Sequence, residues 1–539
     1  MLNDNHRDRG GMALAETVRE LYRQGQTDYA MEPLVLADEQ GQPSGCIEDG
    51  DAVIFGCRRG EREIELTEAF VERAFDRFPR REFTDLTFVI LTLYHEKFVG
   101  LPVAFAPSPI NDTLGESVSR AGLRQLRVAE SEKYAHVTFF LNGGNHRPFA
   151  GEDDVCIPSP RGIPFDQTPE LSLAQVADTV IDGVGQSYDL IVTNFANGDV
   201  IGHTQNREAK LRCAEFVDQQ LGRVVEAAGK ADYVVLVTAD HGNLEVMTHP
   251  DGSPHVAHTN NLVQCVLIDP RAAAPIKLSD GTLADVAPTA LNALGVAQPE
   301  AMTGKNLALE HDFSGRLAVS KVERRRVLLV ILDGWGIGNN DDTNPIYLAP
   351  TPVWDNLTRC YPGSRLQASG NAVGLQPNKP GNSEAGHISL GAGRVVLQDD
   401  VRLDRALQDG SFYTNPTFLH TIAGVRQRQS RLHLIGLLTE KSSHGSIDYP
   451  LALLKMAKDN GLQDVYLHLI FDGRSTEPGS APTLLEKLER QMNAIGAGRI
   501  ASGVGRGLAL DRDGNYAKVK RAYDAMVFGV GKRCSYRWI

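Results

Sequence analysis

The sequence predicts an α/β protein with mostly parallel sheets. Strand-like and helix-like segments alternate along the 539 residues, which is typical of that class. Three segments also share one pattern, a continuous apolar run that ends in polar side chains: 188–197, 233–243 and 326–334. Apolar runs of this length indicate strands that are buried on both faces.

Composition excludes several classes of protein. Hydrophobic residues make up 42% and charged residues 23%, which argues against disorder. The net charge of -13 argues against a basic nucleic-acid-binding face. No apolar run approaches the roughly 20 residues of a membrane span. The N-terminal residues have no apolar core and the seven cysteines are scattered without CxxC spacing, so we expect reduced thiols in the cytoplasm.

The three strand ends predict one shared site, because functional groups gather at the carboxyl ends of strands in open α/β sheets. Asp333 ends one run, and Asp240 and His241 end another. Asp199 and His203 follow the remaining run four residues apart, a spacing that brings both to one side of a helical turn. His255 and His258 lie in the segment PHVAHTNN. Carboxylates and imidazoles in this mixture suit divalent ions that bind a phosphate substrate.

Each of these residues has an ordinary structural interpretation when it is considered alone. Asp199 could cap a helix, Asp333 could belong to a turn, and His258 could be a hydrogen-bonded polar residue. Their coincidence at strand ends favours a site with two metal ions, which can hold both the attacking and the leaving oxygen of an in-line displacement.

A glycine-rich loop around Ser383 provides a candidate nucleophile. It reads NKPGNSEAGHISLGAGR from residue 378. Glycines let the backbone approach a phosphate closely, and a helix that starts here would direct amide groups at an anion. An ordinary capped turn is the alternative for this loop taken alone. A metal ion would activate the serine hydroxyl, which is otherwise a weak nucleophile.

Taken together, the motifs GNSEAGH, TADHGN, NFANGDVIGHT, PHVAHT and ILDGWG resemble the 2,3-bisphosphoglycerate-independent phosphoglycerate mutases of the alkaline phosphatase superfamily. The resemblance implies an alkaline phosphatase-like domain at 107–397. It also implies a smaller α/β phosphotransferase domain divided between 398–539 and 1–106. The family's usual start matches the strand near Val327 and its usual end matches 302–307. The order therefore resembles a circular permutation, with the polar stretch 308–326 as the joining linker.

The resemblance also implies the metal ligands. Asp199, His203 and His258 would form one site, and Asp333, Ser383, Asp240 and His241 the other. His255 has no ligand role in this mapping. The expected cofactors are two divalent ions, most often Mn²⁺, with Mg²⁺, Co²⁺ or Zn²⁺ as alternatives and without 2,3-bisphosphoglycerate. Members of the family are generally monomeric.

For the phosphoglycerate substrate, the resemblance implies a set of basic and polar side chains, since arginine pairs well with phosphate and carboxylate. These are His444, Arg474, Ser475, Arg506, Arg512, Arg59, Arg62 and Lys133. Lys133 and His444 join Ser383 as catalytic candidates. Ser475 is a departure, because it stands where the family has an acid that accepts a proton, and serine is a poor general base. Glu477 or His444 is the candidate replacement.

The leading hypothesis is the interconversion of 3-phosphoglycerate and 2-phosphoglycerate through a phosphoserine at Ser383. Two alternatives remain. The altered loops at 440–446 and 472–475 favour a phosphomonoesterase, or a mutase that acts on another small phosphate. A catalytically silent binding protein is the third hypothesis, which the complete metal-ligand set argues against.

Overall fold

The computed structural model describes residues 8–58, 60–272, 276–308, 325–440, 442 and 444–536, and the side chains of residues 60 and 61 are not included. Most of the expected linker 308–326 lies outside the described residues. The chain forms two compact units. Unit 1 comprises Met1–Pro107 and Arg402–Ile539, and unit 2 comprises Ser108–Val401.

The strands run in chain order as follows: β1 Leu34–Ala37, β2 Ala52–Phe55, β3 Thr87–Ile90, β4 Gln125–Glu130, β5 Glu152–Ile157, β6 Leu190–Phe195, β7 Tyr233–Thr238, β8 Val263–Ile268, β9 Gly281–Thr282, β10 Arg326–Leu332, β11 Gly363–Gln367, β12 Leu432–Leu438, β13 Val465–Phe471, β14 Arg499–Gly505 and β15 Lys532–Ser535.

The helices run in chain order as follows: α1 Gly11–Arg23, α2 Gly60–Val71, α3 Leu114–Arg120, α4 Leu173–Gly185, α5 Asn197–Gly202, α6 Arg207–Lys230, α7 Val286–Leu294, α8 Pro345–Leu348, α9 Pro352–Cys360, α10 Ser383–Ala392, α11 Asp399–Asp409, α12 Pro416–Arg428, α13 Asp448–Asp459, α14 Ala481–Ile495, α15 Arg506–Ala509 and α16 Tyr516–Phe528. Within the described residues, none of these helices has the length and apolar character that a membrane crossing requires.

Unit 2 is built on a mixed sheet with the strand order β5-β4-β6-β10-β7-β8-β11-β9. Its central strands β4, β6, β10 and β7 are parallel, and β8 runs antiparallel to both of its neighbours. Every residue of β6 and β7 is buried, as the continuous apolar runs predict. The parallel register places the carboxyl ends of β6, β10 and β7 side by side, where the site described below is located.

Unit 1 contains a second sheet, with the strand order β15-β1-β14-β13-β12-β2-β3. Only the β1–β14 pair within it is antiparallel among the described strands. Two separate hydrophobic clusters pack within this unit. Both units therefore combine helices with a largely parallel sheet, and the α/β class predicted from the sequence is confirmed.

A chain of buried polar side chains crosses the unit 1 sheet. His433 Nε2 lies 3.1 Å from Asp51 Oδ2, and His433 Nδ1 lies 3.1 Å from His468 Nε2. His468 Nδ1 in turn lies 2.8 Å from the Ser502 hydroxyl. One set of neutral tautomers satisfies the whole chain: Ser502 donates to His468, His468 donates to His433, and His433 donates to Asp51. Burial lowers the pKa of His468 well below its usual value. Burial also lowers the pKa of His433, although Asp51 opposes this shift.

These two histidines should make the protein less stable in mild acid. Below about pH 6.5 the unfolded histidines take up protons that the folded ones refuse, so the free energy of unfolding falls by up to about 1.4 kcal/mol per pH unit for each residue. Urea unfolding of the full chain between pH 7 and pH 5 measures this slope. His468→Gln should reduce the slope, whereas the same change at the exposed His420 on α12 should leave it unaltered. An equal slope in the His468 variant would contradict the prediction.

Candidate metal centre

Three acidic side chains meet at the carboxyl ends of the central strands of unit 2. Asp333 directly follows β10, Asp240 follows β7 after one residue, and Asp199 lies in the short helix α5 that follows β6. Asp240 and Asp333 are fully buried, and Asp199 is 7% exposed. The backbone amide of Asp333 donates to the Phe195 carbonyl and so joins two of these strand ends. Three buried carboxylates in one place require cations for compensation.

Lys133 supplies one positive charge at the centre of this cluster. Its ammonium lies 2.7 Å from Asp199 Oδ2, 2.7 Å from Asp333 Oδ1 and 2.7 Å from Ser383 Oγ. Burial alone would lower the pKa of Lys133, but the charges of Asp333 and Asp199 outweigh it and raise the pKa above its usual value. Lys133 therefore stays protonated at neutral pH. It follows β4 and precedes a π-helical turn at His136–Phe140, a feature that is frequent at functional sites.

The carboxylates differ in their electrostatics. Burial would raise the pKa of Asp199, but the charge of Lys133 reverses this effect and lowers the pKa. Burial would also raise the pKa of Asp240, and there His241 reverses the effect and lowers the pKa. Burial and the nearby charge of Asp240 raise the pKa of Asp333. The cluster as a whole holds more negative charge than Lys133 neutralises.

Three histidines direct ring nitrogens at the acids. His258 Nε2 lies 2.9 Å and His203 Nε2 3.3 Å from Asp199 Oδ1. His241 Nε2 lies 3.3 Å from Asp240 Oδ2 and 3.6 Å from Asp333 Oδ1. Hydrogen bonding to the acid raises the pKa of His203, and contact with Asp199 raises that of His258 against the opposing effect of burial. Positive charge is therefore favoured where the Nε2 atoms of His203 and His258 approach Asp199.

The opposite ring nitrogens determine which tautomers are present. Nδ1 of His203 lies 2.8 Å from the Val256 carbonyl, that of His258 lies 2.8 Å from the Gly381 carbonyl, and that of His241 lies 3.2 Å from the Gly242 carbonyl. A carbonyl only accepts, so each Nδ1 carries a proton and each neutral ring presents an Nε2 lone pair to the acids.

The donor set fits a pair of divalent cations. Nε2 of His203 and Nε2 of His258 are 3.1 Å apart beside the Asp199 carboxylate, so three acceptors converge without a proton between them in the neutral state. Two groups of side chains have ligand atoms within 4.8 Å of one another: Asp199 with His241 and His258, and Asp240 with His241 and Asp333. Mixed carboxylate and imidazole ligands suit manganese, zinc and related ions. His241 belongs to both groups, and its Nε2 lies 3.9 Å from Asp199 Oδ1.

Ser383 lies at the first position of helix α10, inside this ring of charges. Asn382 caps the helix by accepting from the amide of Ala385 at 2.9 Å. Ser383 Oγ lies 3.0 Å from His241 Nε2 and 3.3 Å from Asp333 Oδ1, and the residue is 7% exposed. The hydroxyl also lies beside the Lys133 ammonium at a helix N-terminus, and both features favour an anion at this position.

Several supporting residues were not singled out from the sequence. Asn194 donates to Asp333 Oδ2 at 2.7 Å, and its amide lies 3.0 Å from His387 Nε2. His387 Nδ1 donates to the Ser383 carbonyl at 2.8 Å. Asn243 donates to Asp199 Oδ1 at 2.9 Å. Asn243 and His387 lie within the motifs TADHGN and GNSEAGH. Their closeness in sequence to the predicted ligands could have identified them as supporting residues.

The residues expected to bind substrate lie in unit 1, except Lys133. Arg506 is buried at the start of α15 and forms an ion pair with Asp472 at the end of β13. His444 Nδ1 lies 3.3 Å from Glu63 Oε1. The Ser475 hydroxyl lies 3.0 Å from that of Ser442, two residues before His444. Arg62 is buried and donates to the Leu510 carbonyl at 3.0 Å, whereas Arg474 and Arg512 are exposed. Arg59 lies outside the described residues.

Comparison with known families agrees with this chemistry. The sequence profile of the Metalloenzyme superfamily matches residues 12–298, more than half of the chain. The chain belongs to the Metalloenzyme superfamily. A second profile, described as the BPG-independent PGAM N-terminus, matches residues 403–537. Asp333 and Ser383 lie outside residues 12–298 and 403–537, the two ranges that these profiles match.

Two curated relatives from different organisms have the same enzyme name. The chain is similar to the 2,3-bisphosphoglycerate-independent phosphoglycerate mutase of Moorella thermoacetica, with 46% identity over 297 residues, 55% of this chain and 57% of the relative. It is also similar to an enzyme of that name, numbered 2, from Methanosarcina acetivorans, with 45% identity over 299 residues, 55% of this chain and 57% of the relative. The chain thus spans about half the length of the curated relatives that it matches.

A solved structure titled as Leishmania mexicana phosphoglycerate mutase at low cobalt concentration also matches. Its identity is 28% and its TM-score 0.39, over 50% of this chain and 53% of that one.

Proposed function

We propose that this protein is an isomerase that interconverts 3-phosphoglycerate and 2-phosphoglycerate without 2,3-bisphosphoglycerate. The observation that carries the proposal is the position of Ser383 Oγ, 2.7 Å from Lys133 Nζ and 3.0 Å from His241 Nε2 at the N-terminus of a helix. This arrangement supports a serine that accepts a phosphoryl group. The mutase name of the relatives supports the choice of substrate.

The proposed metal ligands are Asp199, His203 and His258 for one ion, and Asp240, His241, Asp333 and Ser383 for the other. When bound, two divalent ions, Mn²⁺ in this proposal, would supply Lewis acidity and charge neutralisation for phosphoryl transfer. The convergent Nε2 lone pairs and buried carboxylates support this assignment.

The chain's own residues have separate roles in the proposed reaction. Ser383 Oγ loses its proton and forms a bond to phosphorus while the ester bond of the substrate breaks, and the departing glycerate oxygen takes up a proton. Lys133 holds Ser383 Oγ in position and offsets the charge that develops on the phosphoryl group. The α10 amides favour the resulting phosphoserine. The other hydroxyl of the glycerate then loses its proton and bonds to phosphorus while the bond between phosphorus and Ser383 Oγ breaks, and Ser383 Oγ takes up a proton.

Within unit 1, we propose that His444, Arg474, Ser475, Arg506, Arg512, Arg59 and Arg62 hold the glycerate part. The buried guanidinium of Arg506 supports this, because its Nε has no hydrogen-bond partner among the described residues. A single phosphoglycerate supplies a phosphate and a carboxylate for such groups. We propose further that the protein acts as a monomer in the cytoplasm. Its seven free cysteines support the reducing compartment.

We also propose that the order of family segments is permuted. The profile described as an N-terminus matches residues 403–537, near the end of this chain, and β10 pairs with β6 and β7, which precede it by more than 80 residues. On this proposal, 107–397 is the alkaline phosphatase-like domain, and 398–539 with 1–106 is the phosphotransferase domain. A chain rebuilt to start at β10, with its present ends joined, should retain the far-ultraviolet circular dichroism and activity, and loss of both would argue against permutation.

A phosphomonoesterase is the second candidate function. The observation that favours it is Ser475, whose hydroxyl lies 3.0 Å from the Ser442 hydroxyl rather than beside a carboxylate. Without a base to deprotonate the glycerate hydroxyl, water would complete the reaction and release phosphate. Mutases of other small phosphates and a silent binding protein remain further alternatives.

One assay separates these functions. Manganese-loaded protein is incubated with 3-phosphoglycerate in the absence of 2,3-bisphosphoglycerate, and 2-phosphoglycerate and free phosphate are measured together. We expect 2-phosphoglycerate with little free phosphate, and we expect turnover to stop when a chelator removes the metal and to return when manganese is added.

Release of phosphate without 2-phosphoglycerate would favour the phosphomonoesterase. If metal-loaded protein turned over nothing, the silent binding protein would be the better description.

A further inference from the structure

Glu245 is a fully buried carboxylate five residues after Asp240, and neither the sequence motifs nor the proposed reaction uses it. It accepts four hydrogen bonds, two on each oxygen. Oε1 accepts from the Thr259 hydroxyl and from Asn261 Nδ2 at 2.9 Å. Oε2 accepts from the Asn243 amide at 2.7 Å and from the Gly336 amide at 3.1 Å. Such a saturated buried carboxylate fixes the groups around it, because each donor would lose a strong partner on moving.

The donors belong to three separate segments, each of which carries a proposed metal ligand. Thr259 directly follows His258, Gly336 lies three residues after Asp333, and Asn243 lies two residues after His241. Glu245 therefore links the three loops through one side chain.

Asn243 extends the link to Asp199. Its backbone amide donates to Glu245, while its side-chain amide donates to Asp199 Oδ1 at 2.9 Å and to the Asp199 carbonyl at 3.3 Å. The fourth ligand-bearing segment, helix α5, is thus joined to the same carboxylate through one residue.

The packing around Glu245 leaves little room for rearrangement. A Cβ atom at Gly336 would lie 2.4 Å from Glu245 Cδ, and one at Gly242 would lie 2.4 Å from Glu245 Oε1. Both loops approach the carboxylate as closely as glycine permits. A displaced Glu245 would therefore displace the loops themselves.

We propose that Glu245 is a positioning residue that holds His258, Asp333, His241 and Asp199 in the arrangement that binds the two cations. The inference rests on the metal centre of the proposed function. Glu245 contacts none of the proposed ions in this scheme and acts through Thr259, Gly336 and Asn243. Partners of this kind fix ligand orientation, and their loss typically weakens metal binding by about 10- to 100-fold.

The test is Mn²⁺ binding to metal-free protein, measured by titration calorimetry. Glu245→Ala should raise the Kd for Mn²⁺ by about 10- to 100-fold. Glu489 offers a matched control in unit 1, since it is also buried and accepts from the backbone amides of Arg9 and Gly11 at 2.7 Å each. Glu489→Ala should lower the melting temperature while leaving the Kd for Mn²⁺ unchanged. A loss of metal affinity that followed from lower stability alone would appear in both variants.

Thr259→Val provides a milder second variant in case Glu245→Ala does not fold. It removes one donor to Glu245 at nearly constant volume, beside His258. We expect the Kd to rise by roughly 3- to 10-fold for one of two binding steps and to stay constant for the other. If each variant that folds bound Mn²⁺ with wild-type affinity, the positioning role of Glu245 would be overturned, and the proposed metal centre would not be affected. Absence of Mn²⁺ binding by the wild-type protein would instead overturn the metal centre, and the inference with it.

Discussion

Ser383→Ala should reduce the proposed phosphoglycerate turnover by roughly 10⁴-fold or more, because the substitution removes the proposed covalent nucleophile and with it the reaction path. In the structure no other hydroxyl of the described residues is placed within hydrogen-bond distance of Lys133 Nζ. The side chain is small and the helix cap belongs to Asn382, so we expect little change in the melting temperature. The direct measurement is a brief incubation with 3-phosphoglycerate labelled at phosphorus, followed by denaturation and counting of label on the protein.

Ser389→Ala is the matched control for this prediction. Ser389 is buried on the same helix and donates to the Ala385 carbonyl at 2.8 Å, so its loss costs about 1 kcal/mol of stability without touching the charged cluster. Labelling and turnover should stay within about threefold of the wild type in this variant. Label retained on Ser383→Ala protein would show that another residue accepts the phosphoryl group.

The strands that carry the site could be predicted from sequence because their signal is local. The runs at β6, β7 and β10 are apolar throughout, and continuous burial of such runs follows from their hydrophobicity alone. The order of these strands in the sheet could not be predicted from such local patterns. β10 lies between β6 and β7 although it follows them in the chain, and such an order depends on long-range packing that no local pattern encodes.

The same distinction applies to the site. Asp333, Asp240 and His241 come within three residues of the ends of buried strands, so their position followed from the strand prediction. Lys133 is different, because it contacts Asp199 and Asp333 from 66 and 200 residues away and only the family resemblance drew attention to it. Glu245 had no signal at all. A buried acid that binds backbone amides is recognisable only when the loops around it are folded.

Lys133→Met should reveal how far the cluster depends on one cation. Removal of the ammonium leaves Asp199, Asp240 and Asp333 buried with less compensating charge, which typically destabilises a protein by about 3 to 5 kcal/mol. Added Mn²⁺ should restore more stability to the variant than to the wild type, since the ions take over the neutralising role. Turnover should nevertheless fall by roughly 10²- to 10³-fold, the usual loss when one group that stabilises developing charge is removed.

Lys210→Met controls for the loss of a buried lysine. Lys210 is 1% exposed in unit 2, but its ammonium donates to the His255 carbonyl at 2.8 Å rather than to carboxylates, and burial lowers its pKa to about 8. Turnover of that variant should stay within about threefold of the wild type. Thermal melts with and without manganese, together with turnover of both variants, separate the loss of stability from the loss of catalysis. If Lys133→Met retained wild-type turnover, the metal ions alone would stabilise the charge that develops on the phosphoryl group. Lys133 would then serve only as a counter-ion that stabilises the metal-free protein.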